Sequence, residues 1–138
     1  MEREIATIAM DISASEASKL MMAKNVDYLI VFEKDVPAGI VTDRDLVRKI
    51  MAKDKEASKT AVSEIMSSPL ITIDPDATVD EAVQIMIEKD IRRLPVRRDS
   101  ILYGVFTGRG LGRHLKEYEE AVAGDLIKHM SLVSRILA

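Results

Sequence analysis

The sequence predicts a mixed α+β (α/β) fold in which one β-α-β-β-α unit is used twice. Positions 7–48 recur at 72–113, at a constant offset of 65 residues and without a gap, and 14 of the 42 paired positions are identical. Each copy also carries apolar runs of strand length and a helix-start signal in the same order. Because so short a unit cannot cover its own hydrophobic faces, we expect the two copies to pack on each other.

The first half of each copy is predicted to be a strand, a turn and a helix. Short apolar runs at Ile5–Ile8 and Leu70–Ile73 indicate the opening strands. Ser13–Glu16 and Thr78–Glu81 predict capping boxes, in which a hydroxyl accepts a helical N–H and the glutamate reaches back to the cap residue. Behind each cap, apolar residues recur at the spacing of a helix that packs on one face. These residues are Ala17, Leu20 and Met21 in the first copy and Ala82, Ile85 and Met86 in the second.

The second half of each copy is predicted to be a hairpin followed by a helix. Two apolar runs separated by polar turn residues are typical of a hairpin. The runs are Tyr28–Phe32 with Ala38–Val41, and Leu94–Val96 with Tyr103–Phe106. The second helix is expected to begin after Thr42 in the first copy and after Thr107 in the second.

The repeat divides the chain into four segments. Residues 1–51 form the first repeat, 52–62 a polar connector, 63–120 the second repeat, and 121–138 a C-terminal segment.

The C-terminal segment carries a weak echo of the second copy. Ala123–Ile127 follows the same pattern as Val62–Met66, which precedes the first strand of the second copy. Since the first copy has no such lead-in, one interpretation is that residues 123–134 fold back and complete it. The alternative is an ordinary terminal amphipathic helix. Its apolar face would be Val122, Leu126, Met130, Val133 and Leu137.

Composition excludes several kinds of site and partner. The chain of 138 residues has no cysteine, which removes disulfides, thiolate nucleophiles and cysteine-ligated zinc. With His114 and His129 as the only imidazoles, we expect no metal. The net charge of −3 argues against a nucleic-acid partner.

The same inspection argues against membrane insertion and catalysis. No apolar run approaches the roughly 20 residues that span a bilayer, and no secretory signal opens the sequence. We therefore expect a cytoplasmic protein with no membrane partner. We expect no enzymatic activity either, since the sequence shows no cysteine, no triad and no paired carboxylates in an apolar string.

The string Gly39–Asp45 is the most informative local motif. It places Thr42 and, three residues later, Asp45 at a strand-to-helix junction, where free backbone N–H groups suit an anion. A carboxylate at this position can accept two hydrogen bonds from a vicinal diol, the hydroxyl face of a ribose. The alternative is that Thr42 and Asp45 only form a capping box of their own.

Several motifs in the same order resemble the CBS (cystathionine β-synthase) domain family, specifically a stand-alone pair of CBS domains, or Bateman module. They are the tandem unit itself, the Gly39-x-x-Thr42-x-x-Asp45 string, the Ile65-Met66 lead-in, Pro75–Ala82 and Leu94-Pro95-Val96. The resemblance runs from about Ile5 to Leu115. It implies two repeats packed with pseudo-twofold symmetry and two clefts that bind AMP, ADP, ATP or S-adenosylmethionine.

The resemblance also implies which residues hold the ligand in the first cleft. In the family the aspartate equivalent to Asp45, beside Thr42, holds the ribose, and basic residues of the opposite repeat meet the phosphates. Here those basic residues are Arg92 and Arg93, and Arg44 lies beside them; guanidiniums form charge-assisted bonds with phosphate.

Each of these assignments has an ordinary alternative. The alternative for the two arginines is a solvated basic strand end that continues into Arg97 and Arg98. The resemblance further implies that Thr7, Ile12 and the Val26–Tyr28 strand, which includes Asp27 and Tyr28, line the adenine end. Their alternative is a set of ordinary strand and core positions.

The second cleft has lost the equivalent groups. Gly110 stands where the first copy has Asp45, and Asp27 and Tyr28 stand where the second copy has Arg92 and Arg93. We therefore expect no nucleotide to bind there in the usual manner. Gly108 and Gly110 also weaken the start of the following helix by roughly 1 kcal/mol each relative to alanine.

The function that follows is a regulatory, ligand-sensing module. It would bind about one adenine nucleotide per chain and control a partner protein whose identity the sequence does not give. The alternative is a structural dimerisation or interaction module without a nucleotide. A homodimer is expected, with methionine-rich helices and the apolar C-terminal stretch as surfaces, unless these methionines are core filler. The methionines are Met21, Met22 and Met86.

Overall fold

The computed structural model describes residues 5–107 of the chain. The elements follow the predicted order in the first copy, and in the second copy the helix and the hairpin do. The elements are β1 (Thr7–Ala9), α1 (Ala14–Lys24), β2 (Tyr28–Glu33), β3 (Val36–Thr42), α2 (Asp43–Lys49), short 3₁₀ turns at Met51–Lys53, Ala57–Lys59 and Val62–Glu64, then α3 (Val79–Lys89), β4 (Arg93–Arg98) and β5 (Ile101–Thr107). Within the described residues the chain forms two compact units, a first unit at Ile5–Ile71 and a second unit at 72–107.

The first unit is a three-stranded sheet covered by helix α1. Strand β1 pairs in parallel with β2, which pairs antiparallel with β3, in the order β1-β2-β3. Alternate strand residues Leu29, Val31 and Val41 face a core that contains Ala14, Ala17 and Met21 of the helix. This confirms the predicted hairpin and the predicted apolar stripe of α1.

The second unit repeats this local geometry. Strands β4 and β5 form an antiparallel hairpin whose irregularity at Val96/Arg97 is 65 residues from the one at Val31/Phe32. Helices α1 and α3 both end in the left-handed conformation, at Asn25 (φ 52°) and at Asp90 (φ 51°). Asparagine and aspartate are the non-glycine residues that best tolerate this conformation, so both copies end the helix by the same device.

The predicted strand at Leu70–Ile73 is wrong, because only Ile73 pairs, in a single parallel bridge with Val96. In the first unit the ladder extends further, since the Ile30 N–H donates to Ala6 O (2.9 Å) and the Met10 N–H donates to Phe32 O (3.0 Å). Proline occupies both equivalent donor positions in the second copy, as Pro95 and Pro75. Proline has no N–H, so the ladder cannot grow beyond the bridge.

One of the two predicted capping boxes forms completely. In α3 the Glu81 N–H donates to Thr78 Oγ1 (3.2 Å) and the Thr78 N–H donates to Glu81 Oε2 (3.0 Å). In α1 only the first bond is present, from the Glu16 N–H to Ser13 Oγ (3.1 Å). The Glu16 carboxylate lies instead 3.4 Å from Lys19 Nζ, so the second bond of that box is not made.

Residues 60–67, which we call the lead-in segment, pack on the first unit. The Val62 N–H donates to Ile12 O (2.8 Å), and Ile40 and Ser67 exchange two backbone bonds of 3.0 and 2.8 Å. Val62 and Ile65 are fully buried in the core of the first unit. The first unit therefore includes the connector at 52–62 and the opening residues of the segment that the sequence assigns to the second repeat.

Two predictions fall outside the described residues. They are the helix after Thr107 and the role of the C-terminal segment at 121–138, including the proposed fold-back of residues 123–134.

The methionines divide between core and surface. Met21 and Met86 are buried in the cores of their units, as the core-filler alternative states. Met22 is 80% exposed and its repeat equivalent Ile87 is 71% exposed. Of the three methionines, only Met22 is therefore available as an apolar surface residue.

We expect Gly39→Ala to displace the lead-in segment from its packed position on the first unit. An added Cβ would lie 2.7 Å from Ser67 O and 2.9 Å from Met66 Sδ, and the backbone oxygen cannot move without breaking the Ile40–Ser67 pair. Overpacking of this kind costs about 1–3 kcal/mol, which urea unfolding would measure. Val36→Ala, at an exposed position of the same strand, is the control, and equal stability of the two variants would contradict the prediction.

Candidate functional site

Asp45 is a buried carboxylate in the first turn of α2, only 7% exposed. Its Oδ2 accepts the Thr42 N–H (2.9 Å) and the Thr42 hydroxyl (3.2 Å), while its own N–H donates to Thr42 Oγ1 (3.3 Å). These bonds are a complete capping box, so the structural alternative for the Thr42–Asp45 pair is present in the molecule.

The other oxygen of Asp45 is held by Lys49, which the sequence analysis did not single out. Lys49 Nζ lies 2.9 Å from Asp45 Oδ1 and donates a second bond of 2.8 Å to Ile65 O of the lead-in segment. The spacing of four residues between Asp45 and Lys49 is the one sequence signal that indicates this contact. The contact with Ile65 depends on the packing of a segment 16 residues further along the chain.

Counting acceptor sites shows what Asp45 can still bind. An ionised carboxylate offers about four lone-pair sites. Among the described residues, two are used by Thr42 and one by Lys49, which leaves one site on Oδ1. A vicinal diol donates two hydrogen bonds, so one present donor must give way. The Thr42 hydroxyl is the best suited, because its bond is the longest and the hydroxyl can rotate.

Three other predicted site residues lie close to this pair in the first unit. Tyr28 is directly opposite Thr42 in the β2–β3 ladder, and the Asp27 carbonyl accepts the Asp43 N–H (3.1 Å). Tyr28 is buried, whereas Asp27 and Arg44 are exposed. The structure thus brings Thr42, Asp45, Arg44, Asp27 and Tyr28 to one end of the sheet.

Thr7 and Ile12 lie elsewhere in the first unit. Thr7 is an exposed residue of β1 and pairs with Ile30. Ile12 is 38% exposed and its carbonyl accepts the Val62 N–H. The role of Thr7 and Ile12 at the adenine end stays a prediction.

Arg93 is the first residue of β4 in the second unit, and Arg92 directly precedes it. Arg93 is half-buried and lies opposite Thr107, as Tyr28 lies opposite Thr42, while Arg92 is exposed. Their contribution to the same ligand as Asp45 is part of the proposal made below. Gly108 and Gly110, which distinguish the second cleft, lie outside the described residues.

The arginine run that continues along β4 is not a uniform cationic surface. Arg97 Nε donates to the carbonyl of Asp99 in the adjoining turn. Arg98 binds Asp74 (Nη2 to Oδ1, 2.9 Å) and also Asp76. The hydrogen bond from Arg98 lowers the pKa of the Asp74 carboxyl below its ordinary value. Arg97 and Arg98 therefore bind neighbouring acceptors of the second unit, and their side chains are not arranged as a phosphate-binding surface.

Over residues 5–107, no cluster of three or more histidine, aspartate and glutamate side chains is arranged to hold a metal ion. No helix in that range has the length and apolar character needed to cross a membrane.

Comparison with known proteins identifies relatives of both copies. The family model for the CBS domain matches residues 1–52 and 62–117. The CBS domain-containing protein YhcV of Bacillus subtilis is 34% identical over 105 residues, which are 76% of this chain and 74% of that protein. A Methanopyrus kandleri protein, MK0525, is 46% identical over 80 residues, which are 57% of this chain but only 41% of that longer relative.

Solved structures agree with these matches. A protein with CBS domains from Burkholderia ambifaria MC40-6 superposes with a TM-score of 0.78 at 32% identity, covering 83% of this chain and 84% of its own. The CBS-domain containing protein ATU1752 from Agrobacterium tumefaciens gives a TM-score of 0.74 at 25% identity, covering 80% of this chain and 89% of its own. The comparisons confirm the predicted α+β fold and the resemblance on which the site assignments depend.

We expect Thr42→Ala to cost more stability than Thr78→Ala. Both hydroxyls cap a helix, and losing such a cap costs about 1 kcal/mol. Thr42 also satisfies a buried carboxylate, whereas Thr78 faces the exposed Glu81, so the first variant should lose about 1 kcal/mol more. Urea unfolding of the two variants measures the difference. Equal losses would show that Asp45 does not depend on the Thr42 hydroxyl.

Proposed function

Because the chain belongs to the CBS-domain family, with both copies matched, we propose that it binds one adenosine-containing nucleotide at Asp45 and thereby controls a partner protein. CBS-domain pairs are in general regulatory, ligand-sensing modules. The nucleotide, the partner and the residues that hold the ligand are our proposal for this chain. Catalysis forms no part of it.

The observation that carries the proposal is the burial of the Asp45 carboxylate. Capping a helix does not require a buried charge, since Glu81 fills the same position in α3 and is exposed. Burying a carboxylate costs free energy unless it is paired and hydrogen-bonded. Asp45 is buried and hydrogen-bonded on both oxygens, which a helix cap does not require. A fixed carboxylate with one open acceptor site suits a ribose hydroxyl.

The charges around Asp45 support an anionic ligand. Lys49 offsets the negative charge of Asp45, which a phosphate-bearing ligand would otherwise meet directly. Arg44 is exposed one residue before Asp45, and Arg92 and Arg93 are proposed to bind the phosphates from the second unit. Thr42 is proposed to assist at the ribose. Thr7, Ile12, Asp27 and Tyr28 are proposed to line the adenine end.

One site per chain follows from the differences between the copies. Gly110 replaces the ribose-binding aspartate, and Asp27 with Tyr28 replaces the two arginines. A ligand at a single site can regulate only if it binds two states of the protein with different affinity. We propose a homodimer as the regulated assembly, to which the exposed Met22 and Ile87 would contribute apolar surface.

The second candidate is a structural interaction module that binds no nucleotide. The complete Thr42–Asp45 capping box favours it, because the box gives both residues a role without any ligand.

We expect Asp45→Ala to abolish nucleotide binding and Glu81→Ala to leave it intact. Both changes remove the carboxylate of a capping box, so they are matched in their effect on helix ends, but only Asp45 is proposed to hold ribose. Calorimetric titration with AMP, ADP, ATP and S-adenosylmethionine would show at least about a 100-fold loss of affinity for the first variant, from two lost bonds to a charged group. Unchanged affinity in Asp45→Ala would favour the structural module.

We expect Arg92→Ala and Arg93→Ala to weaken ATP binding about 10-fold each while leaving adenosine binding nearly unchanged. The reason is that the guanidiniums are proposed to meet phosphates alone. Arg98→Ala removes the same charge from the same strand and is the control, because Arg98 pairs with Asp74 and Asp76. The titrations also give the stoichiometry. Two equivalent sites per chain would contradict the proposed difference between the clefts.

A further inference from the structure

Lys49 joins the proposed ligand site to a separate part of the first unit. Its half-buried ammonium contacts Asp45 Oδ1 (2.9 Å) and Ile65 O (2.8 Å) at the same time. An ammonium has three donors, so one lysine can satisfy both acceptors. We propose that Lys49 is a positioning residue that couples nucleotide binding at Asp45 to the packing of the lead-in segment on the first unit, which we call its seated state. This inference rests on the proposed function.

The lead-in segment is seated by a small number of specific contacts. Its backbone bonds to the rest of the unit run from Ala14 N–H to Thr60 O, from Val62 N–H to Ile12 O, from Ser63 N–H to Met10 O and in both directions between Ile40 and Ser67. Val62 and Ile65 supply its buried side chains. Residues 68–71 alone separate the segment from Thr72, where the second unit begins, so a change in its seating acts on the covalent connection between the units.

The direction of the coupling follows from the acceptor sites of Asp45. A ribose hydroxyl bound to the open site of Oδ1 fixes the carboxylate in the position that also receives Lys49. Lys49 stays beside Asp45 only while Ile65 O is also in place. The reason is that this carbonyl accepts the second hydrogen bond of the half-buried ammonium. The ligand should therefore bind the seated state more tightly. By linkage it must stabilise that state by the same factor.

The second copy lacks this arrangement in its sequence. The positions equivalent to Asp45 and Lys49 are Gly110 and His114. The coupling is therefore specific to the copy that carries the proposed nucleotide site.

The first experiment uses the ligand-free chain. Amide exchange by NMR would follow the N–H groups of Val62, Ser63 and Ser67, each of which donates to a residue outside the segment in the seated state. We expect Lys49→Met to accelerate their exchange about 10-fold, the loss expected for one charge-assisted bond, with Lys49→Arg restoring part of the protection. Lys19→Met is the matched control, since Lys19 makes only an exposed ion pair with Glu16.

A second pair of variants tests the carboxylate in the same ligand-free protein. Asp45→Asn should accelerate exchange at the same amides, because it weakens the hold on Lys49, whereas Glu81→Gln should not. Unchanged exchange in both Lys49→Met and Asp45→Asn would overturn the inference, whatever the nucleotide does.

The second experiment adds the nucleotide that the titrations identify. In the wild-type chain it should slow exchange of the lead-in amides, by up to about 100-fold at a concentration 100 times Kd. In Lys49→Met the slowing should disappear and affinity should fall about 10-fold. Gly39→Ala, which unseats the segment without altering Asp45 or Lys49, should lower affinity as well.

Two outcomes separate this inference from the proposed function. Weaker nucleotide binding in Lys49→Met with normal exchange of the lead-in amides would overturn the coupling and leave the nucleotide site standing. No nucleotide binding by the wild-type chain would overturn the proposed function and the ligand-dependent half of the coupling, while the ligand-free variants still decide whether Lys49 links Asp45 to the segment.

Discussion

Burial of the first sheet by the lead-in segment is the constraint on which the first unit depends. A single repeat has too few residues to cover both faces of its elements, and the core of the first unit is completed by Val62 and Ile65. The Ile40–Ser67 backbone pair holds this segment close enough that residue 39 must be glycine. Gly39 of the Gly-x-x-Thr-x-x-Asp string therefore has a packing role, while Thr42 and Asp45 form the capping box that begins α2.

Helices α2 and α3 begin with the same local device in different surroundings. Thr78 and Glu81 form a capping box with nearly the same bond lengths as Thr42 and Asp45, yet Glu81 is exposed and Asp45 is buried. Asp45 is paired with Lys49 four residues further along α2, whereas the residue four positions after Glu81 is the uncharged Ile85. The two capping boxes thus share their backbone hydrogen bonds and differ in the surroundings of the carboxylate.

The sequence predicts local features well and long-range contacts poorly. The hairpins, the helix starts and their repeat offset follow from periodicity and capping residues, which act over a few positions. The absent strand at Leu70–Ile73 could have been predicted, because Pro75 and Pro95 are visible in the sequence. The contact of Lys49 with Ile65 could not, because it depends on where a separate segment packs, and no periodic pattern encodes that position.

The prolines of the second copy have a consequence for how the chain avoids errors while folding. Tandem repeats of similar sequence are prone to exchange equivalent strands during folding. If β1 docked on β4 in place of β2, Pro95 would replace Ile30 and the carbonyl of Ala6 would lose its donor. If the Ile73 segment docked on β2, Pro75 would replace Met10 and Phe32 O would lose its donor in turn. Either mis-paired arrangement would have one hydrogen bond fewer than the native pairing of β1 with β2. The two prolines that shorten one ladder therefore also favour the correct pairing of each strand.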